Sequence, residues 1–219
     1  MLHPALAARY LGAVAAVAPS VEAGLSDAVV ANRVARACVD PPVLRLRPFR
    51  GERAAFRRRL VALAAHSPCL LFADVRSCFP SIAAEAVERA LRALGCPGEP
   101  VADVVAVLRR LSGLGVRGLP VGPDASAVLA NAVLAEADRA LEPAPFLRWV
   151  DDLVVGVAGR GQAVQALESL RAALARAGLE LNAAKTRVLT AADPLIAVPS
   201  LGRAVPERTI APWASPRVG

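Results

Sequence analysis

The sequence predicts an α+β protein: a ferredoxin-like antiparallel sheet with helices on one face, preceded by a mainly helical N-terminal region. Three observations lead there. "CLLFADV" is a short, continuously apolar run that ends on charge, the mark of a buried strand. "FLRWV" and "LVVGVA" flank two aspartates and read as a hairpin. Helical patterns separate these strands from one another and from a last strand, "TRVLTA". From residue 69 the order is therefore strand, helices, hairpin, helix, strand, a split βαββαβ arrangement.

Taken in order, residues 4–18 and 26–38 read as helices, the second ending before "DPP". "VLRLRPF" is a short extended piece stopped by Pro48. "GERAAFRRRLVALAAHS" is a helix whose Phe56, Leu60, Leu63 and Ala64 share one face, with arginines opposite. The strand at 69–75 follows. "PSIAAEAVERALRALGC" opens on Pro80 and Ser81 and closes near Gly95, and "EPVADVVAVLRRLSG" is a further helix. "LGVRGLPVGP" is a Gly/Pro loop that leads into "DASAVLANAVLAEADRALE", a long helix with Asp124 placed as its N-cap. After the hairpin, "RGQAVQALESLRAALARAG" is helical and stops at Gly178. No repeat, low-complexity tract or linker divides the chain.

The length of 219 residues suits one domain, or one large domain with a small appendage. The Ala/Arg/Val/Leu bias, with arginine far outnumbering lysine, reads as a habit of the source genome rather than a functional signal, but Lys185, the only lysine, stands out against it. The net charge of +7 attracts polyanions, nucleic acid first among them, although a basic proteome yields the same charge. Cys38, Cys69, Cys78 and Cys96 form no CxxC pair, and His3 and His66 stand alone, which argues against zinc. Cys69 reads as a packed thiol in a reducing compartment. Near the start, Arg9 interrupts "LAARYLGAVAAVAPS" and leaves too short a run for a membrane span. The expectation is an amphipathic helix, no membrane partner and a cytoplasmic location.

The chemistry lies in three aspartates. The topology sets the 69–75 strand beside the hairpin and so brings Asp74, at its end, to Asp151 and Asp152 at the hairpin turn. A "DD" pair alone is commonly a solvated turn. Three gathered carboxylates repel one another, and a divalent ion relieves that repulsion. Oxygen-only ligands favour Mg²⁺ or Mn²⁺ over zinc. Two such ions, about 4 Å apart, activate a 3′-hydroxyl and stabilise a leaving pyrophosphate, which is the chemistry of nucleotidyl transfer.

At these residues the sequence resembles the reverse transcriptases, as an atypical bacterial member. "RWVDDLVV" is similar to the family's YxDD box, with Trp149 at the tyrosine position. "LFADVRSCFPSI" resembles motif A, with Asp74 ending a strand and Phe79 five residues on. "GLPVGPDASAVLANAVLAEAD" resembles motif B, and "GLELNAAKTRVL" resembles motif D. "PSLGRAV" is similar to a relic of the segment that follows. Each motif is weak alone, and the ordered set is specific.

The resemblance implies an RNA-directed DNA polymerase that uses Mg²⁺ (or Mn²⁺), deoxynucleoside triphosphates, an RNA template and a DNA or RNA primer. It implies Asp74 and Asp151 as the main metal ligands and Asp152 as a secondary ligand or support. The backbone N–H groups of Val75, Arg76, Ser77, Cys78 and Phe79 would face the triphosphate. Phe79 would press on the sugar 2′ position. Gly122 and the start of the next helix, with Ser126, would contact nucleotide and template. Lys185 would lie near the pyrophosphate as a general acid. Arg47, with Arg45, Arg50 and Arg53, is a candidate for triphosphate or template contact, and each reads equally as a solvated charge. The resemblance divides the chain into a fingers-like helical region (1–68), a palm (69–195) and a short Pro/Arg-rich tail (196–219).

Departures are visible. Val121 replaces the usual glutamine of motif B, Ala127 follows Ser126 where proline is common, and Trp149 lacks the tyrosine hydroxyl. The tail is too short for a helical thumb. Three alternatives stay open: no thumb, a thumb supplied by a protein partner, or a truncated chain. The biological setting is equally open, phage defence and a retroelement being the two considered. A competing reading is a catalytically silent palm that binds nucleic acid as a subunit of a complex. A nucleotide cyclase is a third, against which stands the long loop and helix at 118–141.

Overall fold

The structure, a computed structural model, describes residues 3–190. The expected tail at 196–219, with "PSLGRAV", lies outside the described residues. Seven helices and six strands follow one another there: α1 (Pro4–Gly24), β1 (Val34–Cys38), β2 (Val43–Leu46), α2 (Phe49–His66), β3 (Cys69–Asp74), α3 (Cys78–Ser81), α4 (Ala84–Ala93), α5 (Gly98–Gly113), α6 (Asp124–Leu141), β4 (Phe146–Trp149), β5 (Asp152–Val157), α7 (Arg160–Arg176) and β6 (Arg187–Thr190).

The main sheet has the order β4-β5-β3-β6 and is antiparallel throughout, the ferredoxin-like order that the alternation of elements predicts. Side chains alternate between its faces. Leu71, Ala73, Leu153 and Val155 face the large core, built with α1, α4, α5, α6 and α7. Leu70, Leu147, Trp149 and Val154 point the other way, where α2 covers them with Phe56 and Leu60. Thus α1, α4, α5, α6 and α7 lie on one face, and α2 covers part of the other. The rest of that second face, where β3 ends in Asp74 and β5 begins at Asp152, is the ground of the site.

Two N-terminal expectations are corrected. Helix α1 does not stop at residue 18: it runs through Pro19 to Gly24, held by the burial of Val17, Ala18 and Val21. It is long and apolar enough to cross a membrane by length and composition, with a mean hydropathy of 1.3, yet Tyr10, Val14, Val17 and Val21 lie in the protein core. Residues 26–38 are not a helix. They run as an irregular segment into β1, which pairs with β2. Distant carboxylates fix this: Glu52 accepts the N–H groups of Asn32 (3.1 Å) and Arg33 (2.9 Å), and Glu22 accepts that of Val34 (2.9 Å). Once side chains satisfy these donors, helical propensity no longer decides the conformation.

Elsewhere the caps explain the ends. After α4, Gly95 (φ 72°) lets its N–H reach Arg92 O and that of Cys96 reach Leu91 O. After α7, Gly178 (φ 75°) does the same toward Ala175 O and Leu179 toward Leu174 O. Asp124 is not the N-cap of α6. Pro123 holds that position, and Asp124 sits in the first turn, where its charge suits the helix dipole.

Candidate active site

Strands β3 and β5 place the carboxylates. Their register sets Asp74 directly opposite Asp152, so both project from one face. Val150 and Asp151 form the turn between β4 and β5, and Asp151 O accepts the N–H of Val75 (3.3 Å). Asp74 is buried. Its Oδ1 accepts the side-chain N–H of Asn182 (2.8 Å) and its Oδ2 that of Lys185 (2.8 Å). The Asn182 backbone N–H also donates to Asp74 O (2.8 Å). The "LNAAK" segment is thereby tied to the end of β3.

The electrostatics follow from crowding. Burial pushes the Asp152 carboxyl up to about 6, and the charges of Asp151 and Asp74 push the same way. Burial also raises Asp151, and Asp74 adds to it, while Lys185 and Arg148 oppose. The hydrogen bond to Asp74 raises Lys185, although its side chain is largely exposed. Among the described residues, no group of three or more His, Cys, Asp or Glu side chains is gathered closely enough to hold a metal ion. Lys185 and Asn182 instead occupy the Asp74 oxygens. The donor set nevertheless fits a hard divalent ion: oxygen ligands only, two of them with raised proton affinity.

The turn after Asp74 is narrower than expected as an anion cradle. Val75 gives its N–H to Asp151 O and Arg76 gives its own to Glu180 O (2.8 Å). Ser77 adopts φ 46°, and among the described residues no acceptor takes the N–H groups of Ser77, Cys78 or Phe79. The Cys78 thiol points inward, and burial pushes it up to about 12. Phe79 is half-buried at the margin of the core. Its carbonyl accepts the Leu119 N–H (2.8 Å), and Gly118 (φ 61°) lies so close to Phe79 O and Pro80 O that no side chain would fit.

Other candidates separate. Gly122 (φ 114°) is exposed in an open loop beside Val121. Ser126 is not available to a substrate: its hydroxyl is fully buried and paired with Tyr10 Oη at 3.0 Å. Arg47 is half-exposed and ion-paired with Glu22 (2.8 Å), which also holds Arg33 (2.9 Å). Arg45 and Arg50 are exposed, and Arg53 lies over the Phe49 ring at 5.8 Å. Trp149 sits edge-on to Phe49 (5.6 Å) and Phe56 (5.4 Å), fastening the hairpin to α2.

The sequence reading missed the group behind the turn. Arg148 has no exposed side-chain surface. Its Nε and one terminal nitrogen donate to the two oxygens of Asp138, each at 2.7 Å, and the other terminal nitrogen donates to Asn131 Oδ1 and Val150 O, each at 2.8 Å. Asn131 donates onward to Ala31 O (3.1 Å) and Asn32 O (3.2 Å). Val150 itself has φ 57°, which costs a β-branched residue roughly 1–2 kcal/mol. The available signal was an arginine inside an apolar strand, with Asn131 and Asp138 two helical turns apart on one face of α6.

The sequence model of the family described as Reverse transcriptase (RNA-dependent DNA polymerase) matches residues 20–208. No curated protein matches the chain.

Proposed function

From the chain's membership of the reverse transcriptase family, we propose that it is an RNA-directed DNA polymerase that adds deoxynucleotides to the 3′-hydroxyl of a DNA or RNA primer on an RNA template. The family supports nucleotidyl transfer, nucleic-acid binding and the use of divalent metals in general. The observation that carries the finer reading is the register that sets Asp74 opposite Asp152, next to Asp151 in the turn. Asp74 and Asp151 would hold the ions, with Asp152 in support. Bound there, Mg²⁺ or Mn²⁺ supplies positive charge for a primer hydroxylate and a leaving pyrophosphate. The free N–H groups of Ser77, Cys78 and Phe79 face the triphosphate. Phe79 limits space at the sugar 2′ position, and the Lys185 ammonium is the group able to give a proton to pyrophosphate.

The test is incorporation of dTTP on primed poly(rA) with Mg²⁺ or Mn²⁺, alongside Asp151→Ala. Incorporation by the wild type and none by the variant is expected. Tight RNA binding without incorporation, under every primer and metal, would overturn the proposal in favour of a silent nucleic-acid-binding palm. The specific observation behind that second reading is that Lys185 and Asn182 occupy both Asp74 oxygens.

A further inference from the structure

The carboxylate site depends on a turn that its own residues disfavour. Val150 is β-branched and holds φ 57°, a region that L-residues with branched side chains rarely enter. Its carbonyl does not point to solvent: Arg148 donates to it at 2.8 Å. The same guanidinium is locked by Asp138 through two bonds and by Asn131 through one, all buried. Asp138 and Asn131 stand on α6, which is almost wholly inside the core. The Arg148 backbone is fixed too, donating to Ala28 O (2.9 Å) and accepting from Val30 N–H (3.0 Å). A planar fork with five donors suits this arrangement, and an ammonium does not.

We infer that Arg148 is a positioning residue: anchored on Asp138 and Asn131, it holds the Val150 carbonyl and so keeps the Val150–Asp151 turn in the conformation that presents Asp151 beside Asp74 and Asp152. It touches neither substrate nor metal and acts through Val150 O. The same network ties residues 28–32 to the hairpin. The kinetic part of the inference rests on the proposed polymerase activity. The structural part does not.

The test compares wild type, Arg148→Lys and Arg148→Lys/Val150→Gly. The Val75 amide reports on the turn, because it donates to Asp151 O. In Arg148→Lys, hydrogen exchange at Val75 is expected to quicken by about tenfold or more. The dTTP kcat falls by at least about tenfold, with KM within about twofold, as for a group that acts only on the geometry of the reacting state. Glycine adopts positive φ freely. Val150→Gly in the lysine background therefore restores most of the Val75 protection and several-fold of the lost kcat, without restoring Tm. Should Arg148→Lys not fold, Arg148→Met/Asp138→Leu replaces the buried pair by apolar groups and removes the same donor from Val150 O. Unchanged Val75 exchange and kcat in a folded variant overturn the inference. So does a loss that Val150→Gly leaves unrepaired, which marks Arg148 as a core tie only. If the wild type itself incorporates nothing, the polymerase proposal fails, and Val75 exchange alone decides the role of Arg148.

Discussion

Two groups of carboxylates serve the β4–β5 hairpin, and the protein treats them in opposite ways. Behind the hairpin, Asp138 is buried with each oxygen 2.7 Å from an Arg148 nitrogen, and among the described residues no buried side-chain polar atom lacks a partner. In front of it, Asp151 and Asp152 are crowded against Asp74, and burial raises the proton affinity of both. The first charge is neutralised from within the fold. The second set is left with an excess of negative charge, which Lys185 offsets from a largely exposed position and Arg148 offsets from behind the turn. A structural carboxylate is completed by its own chain. Under the proposed function, the set in front of the hairpin is kept short of compensation, so that a cation from outside has something to gain.

The contrast can be broken most sharply at Asp151. Asp151→Ala should lower dTTP incorporation by more than about a hundredfold, since it removes charge at the reacting centre. It should not lower the Tm of the metal-free protein, because it also relieves repulsion. A variant that keeps its activity, or that unfolds, would erase the distinction. On the other side of the hairpin, Asp138→Ala leaves the Arg148 charge buried and unpaired, for an expected loss of about 3–5 kcal/mol in urea unfolding. A loss under about 1 kcal/mol would mean that the network contributes little.

A pH series sharpens the comparison. The Asp152 carboxyl stands at about 6 in the fold, against an ordinary value near 3.8. Between those values the folded protein binds the extra proton, so stability is full below the lower one and is lost as pH rises through about 6. With its partial exposure discounted, the metal-free protein should lose about 1–2 kcal/mol across that window. Asp152→Asn should flatten the slope, and Mn²⁺ should offset it above pH 6. A slope unchanged in Asp152→Asn would assign the effect to another group. The smallest expected change is at Ser126→Ala, which removes one buried hydrogen bond to Tyr10 and about 1 kcal/mol of stability. Its KM for dTTP should match the wild type. A raised KM would return Ser126 to the substrate site.

These differences also mark what the sequence makes legible. The pairing of Asp74 with the hairpin follows from the order of elements alone, because alternation and topology set strand neighbours. The strand at 34–38 does not, because its conformation is held by Glu22 and Glu52, whose approach depends on the tertiary fold. Ser126 shows a second limit. Its place in a motif suggests contact with substrate, but the direction of a helical side chain is settled by what surrounds the helix, and α6 is surrounded on nearly every side. Arg148 shows a third. Its place inside the apolar run FLRWV hints at burial, but in a chain rich in arginine only its partners on α6 distinguish it from the solvated ones.

Lys185 has one more consequence. It carries the only ε-amine of the chain, and that amine is held by Asp74 at 2.8 Å. An amine-directed acylating reagent therefore finds a single side chain, and the hydrogen bond to Asp74 raises the proton affinity of that amine. Anything that draws Asp74 away frees the amine. The rate at which Lys185 is acylated should therefore report on what the neighbouring Asp74 carboxylate holds.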